Sequence, residues 1–253
     1  MISGVVPVAG AGSRLATLSR RARLPKCLTP VLGRLLIEYP LENLVSLGIS
    51  HITIVLGPEP EFNLVREYLG TGSDWGAKFT FVTQHRRIGL GDAILQARDV
   101  VADDFALALG DDITSAANLA SGLKAFQNST AELMQLFTQE LDPDALRRSC
   151  ELVLYEGGRI AKIIEKPKLP VGKFRGIGLY FLRASIFDKL TESAQQTPNS
   201  SGDFALVVSQ IAEAGKALGH EIDGFNFNIN TRTDLLSAAE RLLQDYRQGN
   251  SVD

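Results

Sequence analysis

Residues 1–15 read MISGVVPVAGAGSRL, which combines an apolar, strand-like run with a glycine-rich turn. The short apolar run Val5–Val8 leads directly into the turn Gly10–Ser13, which is followed by Arg14. Glycines carry no Cβ, so the backbone N–H groups of such a turn can approach phosphate oxygens closely. Lys26 follows twelve residues after Arg14 and supplies a second cation. A strand that leads into a glycine-rich turn, with two cationic side chains after it, is a pattern that predicts a binding site for a polyphosphate.

Strand-like and helix-like segments alternate over residues 1–112. The apolar runs His51–Leu56 (HITIVL) and Phe105–Leu109 (FALAL) are separated by amphipathic stretches such as Leu35–Leu47. Near-continuous apolar strands between amphipathic helices indicate a parallel sheet that is covered on both faces. We therefore predict an α/β fold with three layers, α/β/α, around a doubly wound, mostly parallel but mixed sheet. Ligands of such folds bind beyond the carboxyl ends of the strands, where the turn Gly110-Asp111-Asp112 also falls.

The second half of the chain has a different pattern. A hairpin is indicated where Cys150–Tyr155 and Arg159–Glu165 flank Gly157-Gly158. We also predict a further strand over Gly176–Leu182 and amphipathic helices over Phe204–Ala214 and Leu235–Tyr246. No linker divides the chain, so we predict one domain over residues 1–253.

Composition excludes several classes of protein. The net charge is −3, whereas a protein that binds duplex nucleic acid usually has a basic excess. The two cysteines, Cys27 and Cys150, form neither a disulfide framework nor metal-ligand spacing, which is typical of reduced thiols in a cytosolic protein. We find no apolar stretch of about 18 residues and no secretory leader, so we expect no membrane partner and a cytoplasmic location. We assign no catalytic role to the histidines.

Five motifs carry a resemblance to a known family. The run Gly10–Leu15 followed by Pro25–Val31 (PKCLTPV) resembles the signature of sugar-1-phosphate nucleotidylyltransferases, in particular the glucose-1-phosphate uridylyl- and thymidylyltransferases. Gln84 with Gly89–Ala93 is similar to the base-recognition segment of that family. Three further motifs follow in the family's order: the metal-binding turn Gly110-Asp111-Asp112, the sugar-phosphate motif Glu165-Lys166-Pro167 and the strand residues Gly178-Leu179-Tyr180.

The resemblance implies a nucleotide-diphospho-sugar transferase fold and an enzyme. Such an enzyme transfers a nucleotidyl group from UTP or dTTP to a sugar-1-phosphate, needs Mg²⁺ and releases pyrophosphate. Residues 1–112 would form the nucleotide-binding half, and residues 113–253 the sugar-phosphate-binding half with the C-terminal helices. The resemblance also implies a homo-oligomer.

Particular residues receive roles through the same resemblance. The catalytic residues would be Arg14, Lys26, Asp111 and Lys166. The nucleotide would be bound by Ala9, Gly10, Ala11, Gly12, Ser13, Arg14, Gln84, Gly89 and Asp111. The sugar phosphate would be bound by Cys150, Glu165, Lys166 and Gly176. The metal ion would be bound by Asp111 and Asn228. A carboxylate at this turn either caps a following helix or binds metal, and we expect Asp112 to cap and Asp111 to bind.

The sequence departs from the family pattern mostly in the second half. Asn228 stands where the motif Trp-x-Asp-x-Gly-Thr has its aspartate, because the stretch here reads Asn226-Phe227-Asn228-Ile229-Asn230-Thr231. Cys150 replaces a glycine, and Ala205 replaces an acidic residue. We therefore expect that the acceptor is not ordinary glucose-1-phosphate, or not glucose-1-phosphate alone, and that a modified sugar or a cyclitol phosphate fits the site.

Two alternative functions remain open, and a third is rejected. The same reaction with GTP, CTP or ATP and a modified sugar or cyclitol phosphate is one alternative. A nucleotide-sugar-binding regulatory protein with weak turnover is another, because Asn228 and Ala205 both lack a carboxylate. A nicotinamide-linked dehydrogenase is rejected, because the third glycine of a dinucleotide fingerprint is missing.

Overall fold

The computed structural model describes residues 2–10, 24–101, 103–196 and 203–248. Four residues of the predicted turn, Ala11, Gly12, Ser13 and Arg14, lie outside these ranges. The strands of the described residues are β1 (Ser3–Pro7), β2 (Pro30–Val31), β3 (Arg34–Leu35), β4 (His51–Leu56), β5 (Lys78–Thr83), β6 (Phe105–Ala108), β7 (Asp112–Ala116), β8 (Leu133–Gln139), β9 (Cys150–Leu154), β10 (Ile160–Glu165), β11 (Phe174–Leu182), β12 (Ala217–Glu221) and β13 (Gly224–Asn228). The α-helices are α1 (Glu38–Ser46), α2 (Asn63–Leu69), α3 (Leu90–Leu95), α4 (Leu119–Gln127), α5 (Pro143–Arg147), α6 (Ile186–Gln196), α7 (Phe204–Glu213) and α8 (Arg232–Arg247).

Nine of these strands form the central sheet. The strands β5, β4, β1 and β6 lie side by side and are parallel, as the sequence predicted for the first half. Strand β11 then pairs antiparallel to β6 and connects the parallel part to β8, β9, β10 and β12. Strands β7 and β13 form a separate antiparallel pair, as do β2 and β3. The sheet is therefore mixed, with its parallel part formed by β5, β4, β1 and β6.

Alternate residues of the central strands enter two different cores. In β6, Ala106 and Ala108 face one core while Phe105 and Leu107 face the other. Helices α1, α2 and α4 cover the first face, and helices α3, α6 and α7 cover the second. This arrangement confirms the predicted three-layer α/β/α fold. Among the described residues, no helix is long and apolar enough to cross a bilayer.

Several predicted boundaries differ from the observed ones. The helix expected over Leu35–Leu47 begins only at Glu38, because Leu35 pairs with Pro30 in the hairpin β2–β3. The amphipathic stretch between β5 and β6 contains only the short helix α3, which ends at Leu95 and is followed by turns. The predicted hairpin of β9 and β10 is confirmed, with Gly157 and Gly158 at positive φ.

The stacked ring of Phe105 provides a test of the second core. Phe105 is fully buried and its ring lies 5.1 Å from that of Phe187, centroid to centroid, which joins β6 to helix α6. We expect Phe105→Ala to lower the free energy of unfolding by about 3–5 kcal/mol, because the cavity it leaves closes only partly. Urea denaturation measures this change. Tyr155→Ala is the matched control, since Tyr155 is 67% exposed and its loss should change the stability little.

Candidate active site

A cavity of about 400 Å³ opens at the carboxyl ends of the parallel strands. Its walls come from the ends of β1, β5 and β6, from the start of α3 and from the turn that begins at Lys26. The predicted site residues that line it are Ala9, Gly10, Lys26, Gln84, Gly89 and Asp111. Five of these residues are all the members of the predicted nucleotide-binding set that the structure describes, and the sixth, Lys26, was predicted as a catalytic residue.

Lys26 and Asp111 form the charged end of this cavity. The Nζ atom of Lys26 donates a hydrogen bond of 2.5 Å to Asp111 Oδ2. The Lys26 side chain is 10% exposed and that of Asp111 is 32% exposed. A 3-10 turn over Lys26–Leu28 holds the lysine, and the Ile37 N–H donates to the Cys27 carbonyl to anchor this turn against the start of α1. The Lys26–Asp111 pair is therefore anchored by hydrogen-bonded backbone at the carboxyl edge of the sheet.

Asp112 has a structural position, and the expectation that it caps a helix is wrong. It begins strand β7 and is buried. Its Oδ2 atom accepts hydrogen bonds from the Gly178 N–H at 2.8 Å and from Asn226 Nδ2 at 3.1 Å. Burial, with the nearby charge of Asp111, raises the pKa of Asp112 to about 6. Asp112 therefore joins β7, β11 and β13 beneath the site, while Asp111 remains accessible.

Asn228 lies beside the two aspartates because β13 pairs with β7 in a register that places Asn228 opposite Asp112. Its Nδ2 atom donates to Asp112 Oδ1 and lies 3.5 Å from Asp111 Oδ1. Its Oδ1 atom accepts a hydrogen bond from Asn230 Nδ2. The amide nitrogen of Asn228, not the oxygen that a metal ion needs, thus points toward the carboxylates.

The opposite end of the cavity is built around Gln84, which is buried. Its Nε2 atom donates to the Gly89 carbonyl at 2.9 Å and to Asp92 Oδ2 at 2.8 Å. These bonds hold the loop that leads into α3, and Gly89 has φ +126°, a conformation that favours glycine. The amide nitrogen of Gln84 thus donates its hydrogen bonds to groups within the protein.

Arg87 also lines this end of the cavity and was missed by the sequence analysis. Its guanidinium group forms an ion pair with Glu59 and lies over the ring of Phe62 at 5.5 Å. The only signal in the sequence was a basic pair, Arg86-Arg87, within the segment between Gln84 and Gly89. Such a pair is usually a solvated charge, so the sequence did not single it out.

The predicted sugar-phosphate residues form a row across three strands. Glu165 of β10 is opposite Cys150 of β9, and Cys150 is opposite Gly176 of β11. Lys166 follows directly and has φ +47°, which is unusual for a residue with a Cβ. Its Nζ atom lies 3.5 Å from Glu165 Oε1, and its side chain is 64% exposed. Lys166 is not among the residues that line the cavity described above.

The space around Gly176 is full. A Cβ at Gly176 would overlap Gln135 Nε2 and would lie 3.4 Å from Cys150 Sγ. Gln135 is itself buried and donates from Nε2 to the hydroxyl of Tyr180 at 3.0 Å. The thiol of Cys150 therefore fills part of the space at the centre of the row.

Glu151 is another residue that the sequence analysis missed. It is fully buried, and its Oε1 atom accepts hydrogen bonds from the Val171 N–H, at 2.9 Å, and from the Gly172 N–H. These bonds tie the segment that follows Lys166 to strand β9. A carboxylate within an apolar strand gave no pattern in the sequence that indicated this role.

The thiols of Cys27 and Cys150 are both buried, and we therefore expect them to react slowly in the folded protein. Burial raises the pKa of Cys27 to about 12, and burial with the nearby charge of Glu165 raises the pKa of Cys150 to about 12. Only the thiolate reacts with a disulfide reagent. We therefore expect Ellman's reagent at pH 8 to detect almost no thiol in the folded protein and two thiols per chain in denaturant. Rapid reaction of the folded protein would contradict the described burial.

The residues around Asp111 fit a magnesium ion only in part. In the part of the chain that the structure describes, no group of three or more His, Cys, Asp or Glu residues is arranged so that it could hold a metal ion. Mg²⁺ is commonly held by one or two carboxylates together with substrate phosphates, so an accessible Asp111 is a suitable partner. Asn228 suits the ion only after its amide rotates, because its oxygen now contacts Asn230.

The mixed sheet and its covering helices have the nucleotide-diphospho-sugar transferase fold, which solved nucleotidyltransferase structures share. The chain belongs to the nucleotidyl transferase family, whose model matches residues 3–243. It is therefore a nucleotidyltransferase of the kind that serves NDP-sugar biosynthesis.

Individual relatives agree with this family. The chain is 28% identical over 250 residues to the UTP–glucose-1-phosphate uridylyltransferase AglF of Haloferax volcanii, which covers 98% of this chain and 99% of that protein. It is 31% identical over 189 residues to a glucose-1-phosphate thymidylyltransferase of Mycolicibacterium smegmatis, covering 73% of this chain and 62% of that protein. A solved structure from Bacillus anthracis, in complex with sucrose, is similar with a TM-score of 0.86 and 25% identity, covering 95% of this chain and 94% of that one.

Proposed function

We propose that the chain transfers a nucleotidyl group from UTP or dTTP to a sugar-1-phosphate and releases pyrophosphate. The observation that carries this proposal is the cavity that has Lys26 and Asp111 at one end and Gln84 and Gly89 at the other. The relatives named as uridylyl- and thymidylyltransferases support a pyrimidine nucleotide and a hexose phosphate.

The proposed reaction is a displacement at phosphorus. An oxygen of the sugar phosphate attacks the α-phosphorus, and the bond from that phosphorus to the oxygen bridging to the β-phosphate breaks. The electron pair of that bond leaves with pyrophosphate, so no proton transfer is needed at the reacting atoms. Such a step depends on positioning and charge neutralisation more than on an acid or a base.

On the nucleotide side, the backbone at Ala9 and Gly10 lies where the parallel strands end, beside Lys26. We propose that Lys26 moves from Asp111 onto the phosphates, because an ammonium group neutralises charge that develops during transfer. Arg14 and the turn Ala11–Ser13 would hold the departing pyrophosphate. Gln84 would shape the base pocket, where the backbone at Gly89 would contact the base.

On the sugar side, we propose that the row Glu165, Cys150 and Gly176 forms the floor of the acceptor site and that Lys166 holds its phosphate. The left-handed backbone of Lys166 supports this role, because strain of this kind is often kept at functional positions. The Cys150 side chain reduces the space beside Gly176. We therefore propose a modified sugar-1-phosphate or a cyclitol phosphate as the acceptor.

For the metal ion, we propose Mg²⁺ held by Asp111 and by Asn228 after rotation of its amide. When bound, such an ion neutralises charge on the phosphates that it contacts. The neutral amide at position 228 contributes less binding energy than a carboxylate, so we expect a weaker metal site than one with two aspartates.

The test is a matrix of UTP, dTTP, CTP, GTP and ATP against a panel of sugar-1-phosphates and cyclitol phosphates, with and without Mg²⁺. Released pyrophosphate is the readout. We expect release with UTP or dTTP that depends on Mg²⁺ and is greatest with a modified acceptor. Full efficiency with glucose-1-phosphate alone would contradict the altered acceptor. Tight binding of nucleotide sugar without any pyrophosphate release would favour the regulatory alternative, which the hydrogen-bonded state of Asn228 supports.

Three further proposals concern the domain organisation, the location and the oligomeric state of the protein. We propose that residues 1–112 and 113–253 act together as one catalytic domain, because β6 of the first part pairs with β11 of the second. We also propose a cytoplasmic location and a homo-oligomeric state. Size-exclusion chromatography with light scattering tests the oligomeric state.

A further inference from the structure

A closed ring of hydrogen bonds surrounds the accessible carboxylate of Asp111. Lys26 Nζ donates to Asp111 Oδ2 at 2.5 Å and to Asn230 Oδ1 at 3.1 Å. Asn230 Nδ2 donates to Asn228 Oδ1, and Asn228 Nδ2 in turn faces Asp111 Oδ1 and donates to Asp112 Oδ1. The ring therefore starts and ends at the same lysine–aspartate pair.

The chemistry of its two ends fixes the direction of every bond in the ring. An ammonium group can only donate, so the Asn230 oxygen must face Lys26. An ionised carboxylate can only accept, so the Asn228 nitrogen must face the aspartates. The remaining nitrogen of Asn230 and the remaining oxygen of Asn228 then meet each other. As long as Lys26 stays in the ring, the oxygen of Asn228 is directed away from Asp111.

The backbone of Asn230 is anchored at the start of helix α8. Its backbone N–H donates to Asp234 Oδ2 at 2.9 Å, immediately before the capping box of Thr231 and Asp234 that begins α8. The family motif described above has glycine at this position, so the Asn230 side chain is a feature of this chain that the resemblance does not explain. It gives Lys26 a second acceptor beside Asp111.

We propose that Lys26 and a divalent cation compete for Asp111, that Asn230 and Asn228 favour the lysine-bound state, and that the metal ion therefore binds weakly until a triphosphate has drawn Lys26 away. This inference rests on the proposed function. Two cations repel each other strongly at the few ångströms that one carboxylate would impose. The departure of Lys26 removes that repulsion and frees the Asn230 oxygen, so both amides can rotate and turn the Asn228 oxygen toward Asp111.

The test measures Mn²⁺ binding to the nucleotide-free protein by the electron paramagnetic resonance signal of free Mn²⁺. Lys26→Met removes the competing charge, and Asn230→Ala removes the second acceptor. We expect Lys26→Met to bind Mn²⁺ at least about tenfold more tightly than the wild type, because a unit charge next to the carboxylate is lost. We expect Asn230→Ala to bind it about threefold more tightly, because one hydrogen bond to the ammonium group is lost.

The matched control is Asn118→Ala. The Asn118 amide also makes two hydrogen bonds, to the Glu221 carbonyl at 2.9 Å and from the Asp223 N–H at 2.8 Å, but it lies outside the ring. Its Mn²⁺ affinity should equal that of the wild type. Melting temperatures show which variants fold, and Asn230→Ala decides the question if Lys26→Met does not fold.

Unchanged or weaker Mn²⁺ binding in both variants would overturn the inference. The proposed function is tested separately, by pyrophosphate release from the wild type. A protein that releases pyrophosphate but whose variants bind Mn²⁺ as the wild type does would retain the proposed function and lose the competition. A protein that shows no turnover but whose variants bind Mn²⁺ more tightly would retain the competition and lose the proposed function.

Discussion

Replacing Asp111 with asparagine is expected to lower the rate of pyrophosphate release by about 1,000-fold, which is the typical loss when one electrostatic partner of a transition state is removed. The variant keeps the size of the side chain but removes the charge that faces Lys26 at 2.5 Å and that would hold the metal ion. The rate with saturating UTP or dTTP and acceptor measures the effect.

The control for this variant is Asp99→Asn, which makes the same chemical change at an exposed position. The rate of the control should stay within about twofold of the wild type, because isolated surface charges contribute little. If Asp111→Asn kept more than about a tenth of the wild-type rate, Asp111 would not be the essential carboxylate.

Replacing Lys166 with alanine is expected to weaken the use of the sugar phosphate by about 100-fold, the loss that follows when a charged hydrogen bond worth about 2.7 kcal/mol is removed. The affinity for the triphosphate should stay unchanged, because Lys166 contacts Glu165 at the end of β10 and does not line the cavity around Lys26. Steady-state kinetics with each substrate varied in turn separate the two effects.

Lys168→Ala is the control on the same segment, since Lys168 is exposed and lies two residues further on. It should leave both substrate dependences close to those of the wild type. Equal losses in Lys166→Ala and Lys168→Ala would show that the segment acts through its overall charge, and a loss in triphosphate affinity would assign Lys166 to the nucleotide side.

The parallel half of the sheet could be predicted because its strands are continuous apolar runs. The strands β8 and β12 were not predicted, and their residues show why. Gln135 interrupts the apolar run of β8, although it is buried and bonded to Tyr180. Strand β12 contains Gly219 and His220, and its pairing with β8 stabilises a segment that has weak strand character of its own. Tertiary contacts, not local preference, determine both strands.

The candidate site could be predicted as a set of residues but not as a geometry. The glycine turn, Lys26 and the Asp111-Asp112 turn were recognisable by type and spacing. The pairing of β13 with β7 joins residues more than a hundred positions apart, and only that register brings Asn228 to Asp112. It also places Asn226 beside Asp112, where Arg175 holds the Asn226 amide with a hydrogen bond of 2.9 Å. No local pattern in the sequence contains this information.

Strand β11 connects the parallel part of the sheet to the β9–β10 hairpin, which carries the residues proposed to hold the acceptor. The hairpin of β9 and β10 joins β11 through the pairs at Phe174, Arg175 and Gly176, while Leu179 to Leu182 pair with β6. A Cβ at Gly178 would lie 2.5 Å from Asp112 Oδ2, so position 178 of β11 does not accommodate a larger residue without a shift of Asp112. Under the proposed placement of the acceptor on this hairpin, mutations in β9 and β10 would change the choice of acceptor and leave the nucleotide-side cavity unchanged, so directed evolution toward new acceptors would begin there.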